Sequence, residues 1–253
     1  MKKADRKYIK KEEKEFLGFT LKDRFKGMGD LCGYESTEVE LLSATDYEDW
    51  INGAFYSCFA TWDQEPGRPV RLMMKNLSFE EKEKKVKHML KQRPISAALE
   101  SSVFNFRISG VPRTFLAQIT RHRAMSFGVQ SLRVNSCYSN DVRVPELITP
   151  ESRKKYNRIV FECKGLYRQM IEEGVPMEQA RLIMPLGTTT TMSAVMRLRD
   201  VMQYVRDRSS AISQDEHTQV VAVLLKELKT KQPKYYELMK SDKTEALIQE
   251  YVR

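Results

Sequence analysis

A nine-residue stretch that passes from apolar straight into positive charge constrains this chain more than any other. Val111-Pro112-Arg113-Thr114-Phe115-Leu116-Ala117-Gln118-Ile119 spaces its apolar residues as an amphipathic helix does, and Pro112 suits the first turn. Only Thr120 separates it from Arg121-His122-Arg123. Removing a charged side chain from water without a partner costs several kcal/mol, so charges in such a row are not buried together. The stretch must bury one side of a helix while delivering its end to a surface or to an anion. Spacings of three and four put Gln118, Arg121 and His122 on one helical face, where all three can address one ligand. Seven residues separate Arg123 from Ser131, and Arg133 lies two further on. In an extended loop Ser131 and Arg133 point the same way.

The rest of the chain alternates strand and helix signals. Val39-Glu40-Leu41-Leu42 reads as an opening strand, and Asp46 through Thr61 as a helix with Trp50, Phe55, Cys58 and Phe59 at helical spacing. Ser78-Phe79-Glu80-Glu81 is a capping box opening a helix that runs to Gln92. Ser102 to Ile108 alternates as a strand should, with Gly110 closing it. Pro150 to Glu173 reads as a long amphipathic helix with Ile159, Phe161, Leu166 and Met170 on its apolar side. Glu178–Met184, Ser193–Arg208 and Gln214–Lys229 give three more helices. The pattern predicts mixed α and β with helices dominating. Residues 1–37 form a charged extension, read as a helix followed by a turn at Gly27 and Gly29, and residues 38–253 form a single domain.

Charge and cysteine usage narrow the chemistry. The net charge of +9 admits anionic partners. The basic runs near the N-terminus and over Lys82–Lys91 lack interleaved aromatics, so they read as solvated faces rather than a nucleic-acid surface. Cys32, Cys58, Cys137 and Cys163 are scattered, and the histidines are His88, His122 and His217 alone, so no metal site is expected. No apolar run is long enough to span a membrane, and the start lacks the apolar stretch of a signal peptide. Reduced thiols in a cytoplasmic protein are the simplest reading.

Arg-His-Arg, seven residues and Ser resembles the signature of the flavin-dependent thymidylate synthases. A second block carries the likeness further: Gly174-Val175-Pro176, then Ala180-Arg181 with Pro185, then Arg199, Tyr204, Arg208, Gln214 and Glu216. Order and spacing agree without a gap from Gly174 to Glu216. The resemblance covers about Val39 to Lys229. It implies an α+β fold with a central, mostly antiparallel sheet flanked by helices, assembled as a homotetramer whose active sites draw on several subunits. It also implies transfer of a methylene from methylenetetrahydrofolate to C5 of dUMP, completed by hydride from reduced FAD, with NADPH regenerating the flavin. Gln118, Ser131, Arg133, Arg181 and Arg208 match dUMP-binding positions. Thr61, Arg121, His122, Arg123, Arg197 and Gln203 match flavin-facing ones. Arg208, His122 and Arg133 are the implied catalytic groups. No cysteine nucleophile is used in this chemistry. An arginine near the uracil carbonyls stabilises negative charge as C5 becomes nucleophilic.

The departures from the family pattern cluster on the flavin side. The family's His-x-Thr-Pro-x-Glu-His corresponds to Ile95-Ser96-Ala97-Ala98-Leu99-Glu100-Ser101, losing both histidines and the threonine. Its Asn-Glu pair corresponds to Gly128 and Val129, an early serine to Thr61 and a late asparagine to Arg197. A nucleotide site kept apart from Val129, beside several altered flavin contacts, leaves two alternatives to the synthase. One is a hydroxymethylase acting on dUMP or dCMP, in which water quenches the transferred methylene and no net hydride is needed. The other is a non-catalytic nucleotide- or nucleic-acid-binding protein.

Overall fold

The computed structural model describes residues 37–59, 70–92, 95–138, 140–144, 148–209 and 213–252. The charged extension and Thr61 therefore lie outside the described residues. In chain order the elements are β1 (Glu38–Ala44), α1 (Tyr47–Phe59), α2 (Val70–Asn76), α3 (Phe79–Gln92), α4 (Ser96–Glu100), β2 (Val103–Pro112), α5 (Arg113–Ile119) and β3 (Ser126–Val129). There follow α6 (Pro150–Glu172), α7 (Met177–Ala180) with a 3-10 turn at Arg181–Ile183, β4 (Thr189–Arg197), α8 (Leu198–Arg208), α9 (Asp215–Lys231), α10 (Pro233–Tyr236) and α11 (Asp242–Tyr251). The fold is α+β, as the resemblance implies. No helix among the described residues is long and apolar enough to cross a membrane.

Two compact units divide the chain. The larger comprises residues 36–129 and 191–253 and holds a four-stranded sheet ordered β1-β2-β4-β3. β1 and β2 pair antiparallel, with Val39 opposite Ile108 and Leu41 opposite Phe106, and a bulge falls between Leu41 and Ser43. Phe104, Phe106 and Ile108 are fully buried, every second residue along β2, which is the period of a strand with one covered face. Tyr235 stands edge-on to Tyr47 at 5.0 Å and to Phe104 at 4.9 Å between ring centroids. Its hydroxyl accepts from Ser102 Oγ at 2.8 Å, so a buried phenol keeps its polar end satisfied. The capping box read at Ser78 is formed: Ser78 N donates to Glu81 Oε2 at 2.8 Å and Glu81 N to Ser78 Oγ at 3.3 Å.

The smaller unit includes residues 130–190. Leu132, Cys137, Tyr138, Tyr167 and Ala180 make a separate apolar cluster there. Gly174 ends α6 with φ +87°, a left-handed turn that costs glycine little. Its N–H donates to Ile171 O and that of Val175 to Met170 O.

Several expectations from the sequence are corrected. Ser193–Arg208 is not one helix, because β4 runs through Arg197 before α8 begins. The four threonines at 188–191 favour strand, and Met192, Ala194 and Met196 are buried at alternate positions. β2 does not close at Gly110 but continues to Pro112, with Gly110 taking φ +71° inside the strand. Pro112 is consequently the cap before α5 rather than a residue in its first turn. Glu178–Met184 is one α-helical turn followed by a 3-10 turn. On α6 the buried residues are Val160, Lys164 and Tyr167, whereas Ile159, Phe161 and Leu166 remain exposed in the single chain.

Candidate active site

In the larger unit the Arg-His-Arg block leaves α5 by a tight turn. Thr120 caps the helix, and His122 N donates to Ile119 O at 3.0 Å. That turn divides the side chains. Arg121 stays exposed, its Nη1 3.5 Å from Gln118 Oε1, while His122 swings inward and is half-buried. The helix ends at Ile119, so the turn rather than helical spacing places Arg121 beside Gln118 and His122 beside Arg208.

His122 instead meets the far block of the motif. Arg208, the last residue of α8, directs Nη2 and Nε at His122 Nε2, at 3.3 and 3.4 Å. A guanidinium only donates, so Nε2 must carry its lone pair and the ring proton sits on Nδ1. Burial depresses the affinity of His122 for a second proton, and the Arg208 charge depresses it further, against a smaller opposing pull from Asp207 and Asp200. The imidazole is an acceptor held beside a cation. Tyr204, one turn before Arg208, is fully buried and stands edge-on to His122 at 5.3 Å.

The remaining flavin-facing candidates of this unit differ in their commitments. Arg197 is engaged already: its Nη1 lies 2.8 Å from Glu100 Oε2 and its Nε 3.1 Å from Asp200 Oδ2. Both Arg197 contacts anchor the start of α8, and Arg199 joins the same Glu100 carboxylate. Gln203 and Arg123 are exposed. Arg121 and Arg123 pair with no carboxylate among the described residues, which leaves two cations for an anionic group. Ile95 packs against the apolar core, and Ala97 offers no polar side-chain atom. The donor set suits the diphosphate of a dinucleotide cofactor better than the polar edge of its ring system.

In the smaller unit Ser131 and Arg133 lie in a turn, not an extended loop. Arg133 N donates to Ser131 Oγ at 3.2 Å, and Asn135 N to Ser131 O at 2.9 Å. Glu178, which sequence reasoning passed over, gathers the arginines: Arg133 Nη2 is 3.4 Å from its carboxylate, and Arg181 Nε donates to its carbonyl at 3.2 Å. The Arg133–Glu178 pair is solvent-exposed, so a phosphate can compete for the guanidinium at little cost. The only advance signal of this contact was a carboxylate three residues before Arg181.

A family model described as thymidylate synthase complementing protein matches residues 40–234. The flavin-dependent thymidylate synthase of Thermococcus onnurineus is 31% identical over 136 residues, 51% of this chain and 56% of that protein, so the chain spans little more than half of that relative. The one from Haloarcula marismortui is 29% identical over 220 residues, 74% of this chain and 89% of its own length. A Helicobacter pylori thymidylate synthase X structure with FAD and dUMP superposes with a TM-score of 0.59 at 20% identity, over 82% of this chain and 99% of the other. At that identity the likeness is one of fold.

Proposed function

The chain belongs to the thymidylate synthase complementing protein family, and from that premise we propose that it transfers a one-carbon unit from methylenetetrahydrofolate to C5 of dUMP, giving dTMP. The observation that supports this best is the contact between His122 and Arg208, which joins two motif blocks 86 residues apart in sequence. The names of the relatives favour the methylated product over the hydroxymethylated one.

On this reading Gln118, Ser131, Arg133, Arg181 and Arg208 hold the nucleotide. Arginines suit both ends of it, since their forks grip phosphate oxygens and can donate to a uracil carbonyl. Arg208 is assigned to the base. Its guanidinium donates to His122 Nε2 on one side, which leaves other N–H groups to stabilise the negative charge that spreads onto the ring oxygens as C5 attacks. Neutral His122 suits that task, because a protonated ring would repel the guanidinium it orients. The phosphate is assigned to Arg133, Arg181 and the Ser131 turn. The resemblance implies a homotetramer whose active sites draw on several subunits, and the exposed Ile159 and Leu166 of α6 support such assembly.

Arg121 and Arg123 fit the phosphates of FAD, with Thr61, His122, Arg197 and Gln203 as the other assigned contacts. When bound, reduced FAD supplies the hydride that completes the methyl group, and NADPH restores it. Arg197 contributes by holding the α8 entry through Glu100 and Asp200 rather than as a free cation.

Release of the C5 hydrogen tests the transfer step. Labelled dUMP should lose its C5 label only when methylenetetrahydrofolate is present, and Arg208→Ala should abolish the loss. Retention of label under all conditions would contradict the proposal.

A further inference from the structure

Behind the His122–Arg208 contact lies a buried polar pair that the reaction scheme above does not use. His217, in the first turn of α9, is fully buried, and its Nδ1 lies 2.9 Å from Tyr204 Oη. Its ring stacks on Phe115 of α5 at 4.3 Å between centroids. A phenol is a better donor than a neutral imidazole N–H. Tyr204 therefore donates to Nδ1, and the ring proton sits on Nε2, which has no partner among the described residues. A buried, half-satisfied imidazole is costly where leucine would pack without penalty. The side chain's one polar contact among the described residues is to Tyr204.

The contacts form a closed circuit within the larger unit. Phe115 of α5 carries His217 of α9, His217 holds the Tyr204 hydroxyl, the Tyr204 ring backs His122, and His122 receives Arg208. Thr218, next to His217, donates to the Arg208 carbonyl at 3.3 Å, so adjacent residues of α9 grip both Tyr204 and Arg208. Three elements thereby fix the guanidinium from its backbone and from its tip.

We propose that His217 is a positioning residue for the nucleotide site, acting through the Tyr204 hydroxyl to hold His122 Nε2 against the Arg208 guanidinium. This rests on the assignment of Arg208 to the pyrimidine nucleotide. Without His217, Tyr204 loses its anchor, His122 gains freedom to rotate away, and Arg208 enters the complex disordered.

The test compares His217→Leu, which removes the acceptor, with His217→Asn, whose side-chain oxygen can replace Nδ1. Calorimetry with dUMP should show His217→Leu weaker by about fivefold, the scale of one neutral hydrogen bond, and His217→Asn close to wild type. In an Arg208→Ala background His217→Leu should cause no further loss, because its effect passes through that arginine. Equal affinities for the Leu and Asn variants, or a loss that persists without Arg208, would overturn the proposal. Should His217→Leu fail to fold, Tyr204→Phe removes the same bond by deleting only an oxygen.

A second readout stands apart from dUMP. The groups that act on His122 are Arg208, Asp207, Asp200 and His217. Proton NMR of the free protein should show the His122 titration moving up in His217→Leu, as the cation leaves its side, and staying in place in His217→Asn. If wild type does not bind dUMP, the nucleotide reading fails and this titration alone decides the positioning role. An unmoved midpoint in His217→Leu would then refute it.

Discussion

Arg208 keeps its charge half-buried beside an imidazole rather than a carboxylate, an arrangement that leaves a guanidinium free to accept an anionic partner. A carboxylate at the same distance would neutralise it, as Glu100 and Asp200 do for Arg197. Arg208→Ala is therefore expected to weaken dUMP binding by roughly tenfold or more, the scale of one charge-assisted hydrogen bond, as calorimetry would show. The motif arginines, His122 and Ser131 were legible from the sequence because their types and spacing carry the pattern. His217 was not, since it carries no spacing signal, and Glu178 was announced only by its place three residues before Arg181. His217 acts on Tyr204 from the adjacent helix, and Glu178 acts partly through its backbone carbonyl.

Local chemistry announced the Ser78 helix start correctly but misplaced the end of β2 at Gly110, and elements decided by packing were not legible. The Ser78 capping box depends on four consecutive residues, and both of its hydrogen bonds form. Ser78→Ala should cost about 1 kcal/mol of stability, measured by urea unfolding. β4 escaped because Met192, Ala194 and Met196 suit a helix as well as a strand, and only the sheet makes their alternation decisive. Helices α8 and α9 meet through Tyr204 and His217, which gives their pairing a pH dependence. Burial above all, with Arg208 and His122 adding to it, pushes the pKa of His217 down to about 3. The unfolded chain takes up that proton near pH 6.5, so the folded state loses stability as pH falls from there toward 3, by up to about 1.4 kcal/mol per pH unit. His217→Leu should show a shallower loss over the same window. Parallel curves for variant and wild type would exclude His217 as the group responsible.

For the whole molecule, the apolar stripe of α6 was visible in the sequence, but its destination was not. Ile159 is 57% exposed and Leu166 44%, and seven-residue spacing puts them on one side of the helix, next to the buried Val160, Lys164 and Tyr167. An amphipathic pattern reports that a face is covered, not whether the cover comes from the same chain. Leu182 and Leu186 of the same unit are more exposed still. With assembly as the cover, Ile159→Asp combined with Leu166→Asp should convert a tetramer to smaller species in sedimentation while leaving helix content unchanged. The central claim concerns the product, and its mass is the most direct test. Incubation with dUMP, methylenetetrahydrofolate, FAD and NADPH is predicted to yield a nucleotide heavier than dUMP by one methylene, and only with flavin and NADPH present. A product carrying an additional oxygen, formed without flavin, would contradict the account.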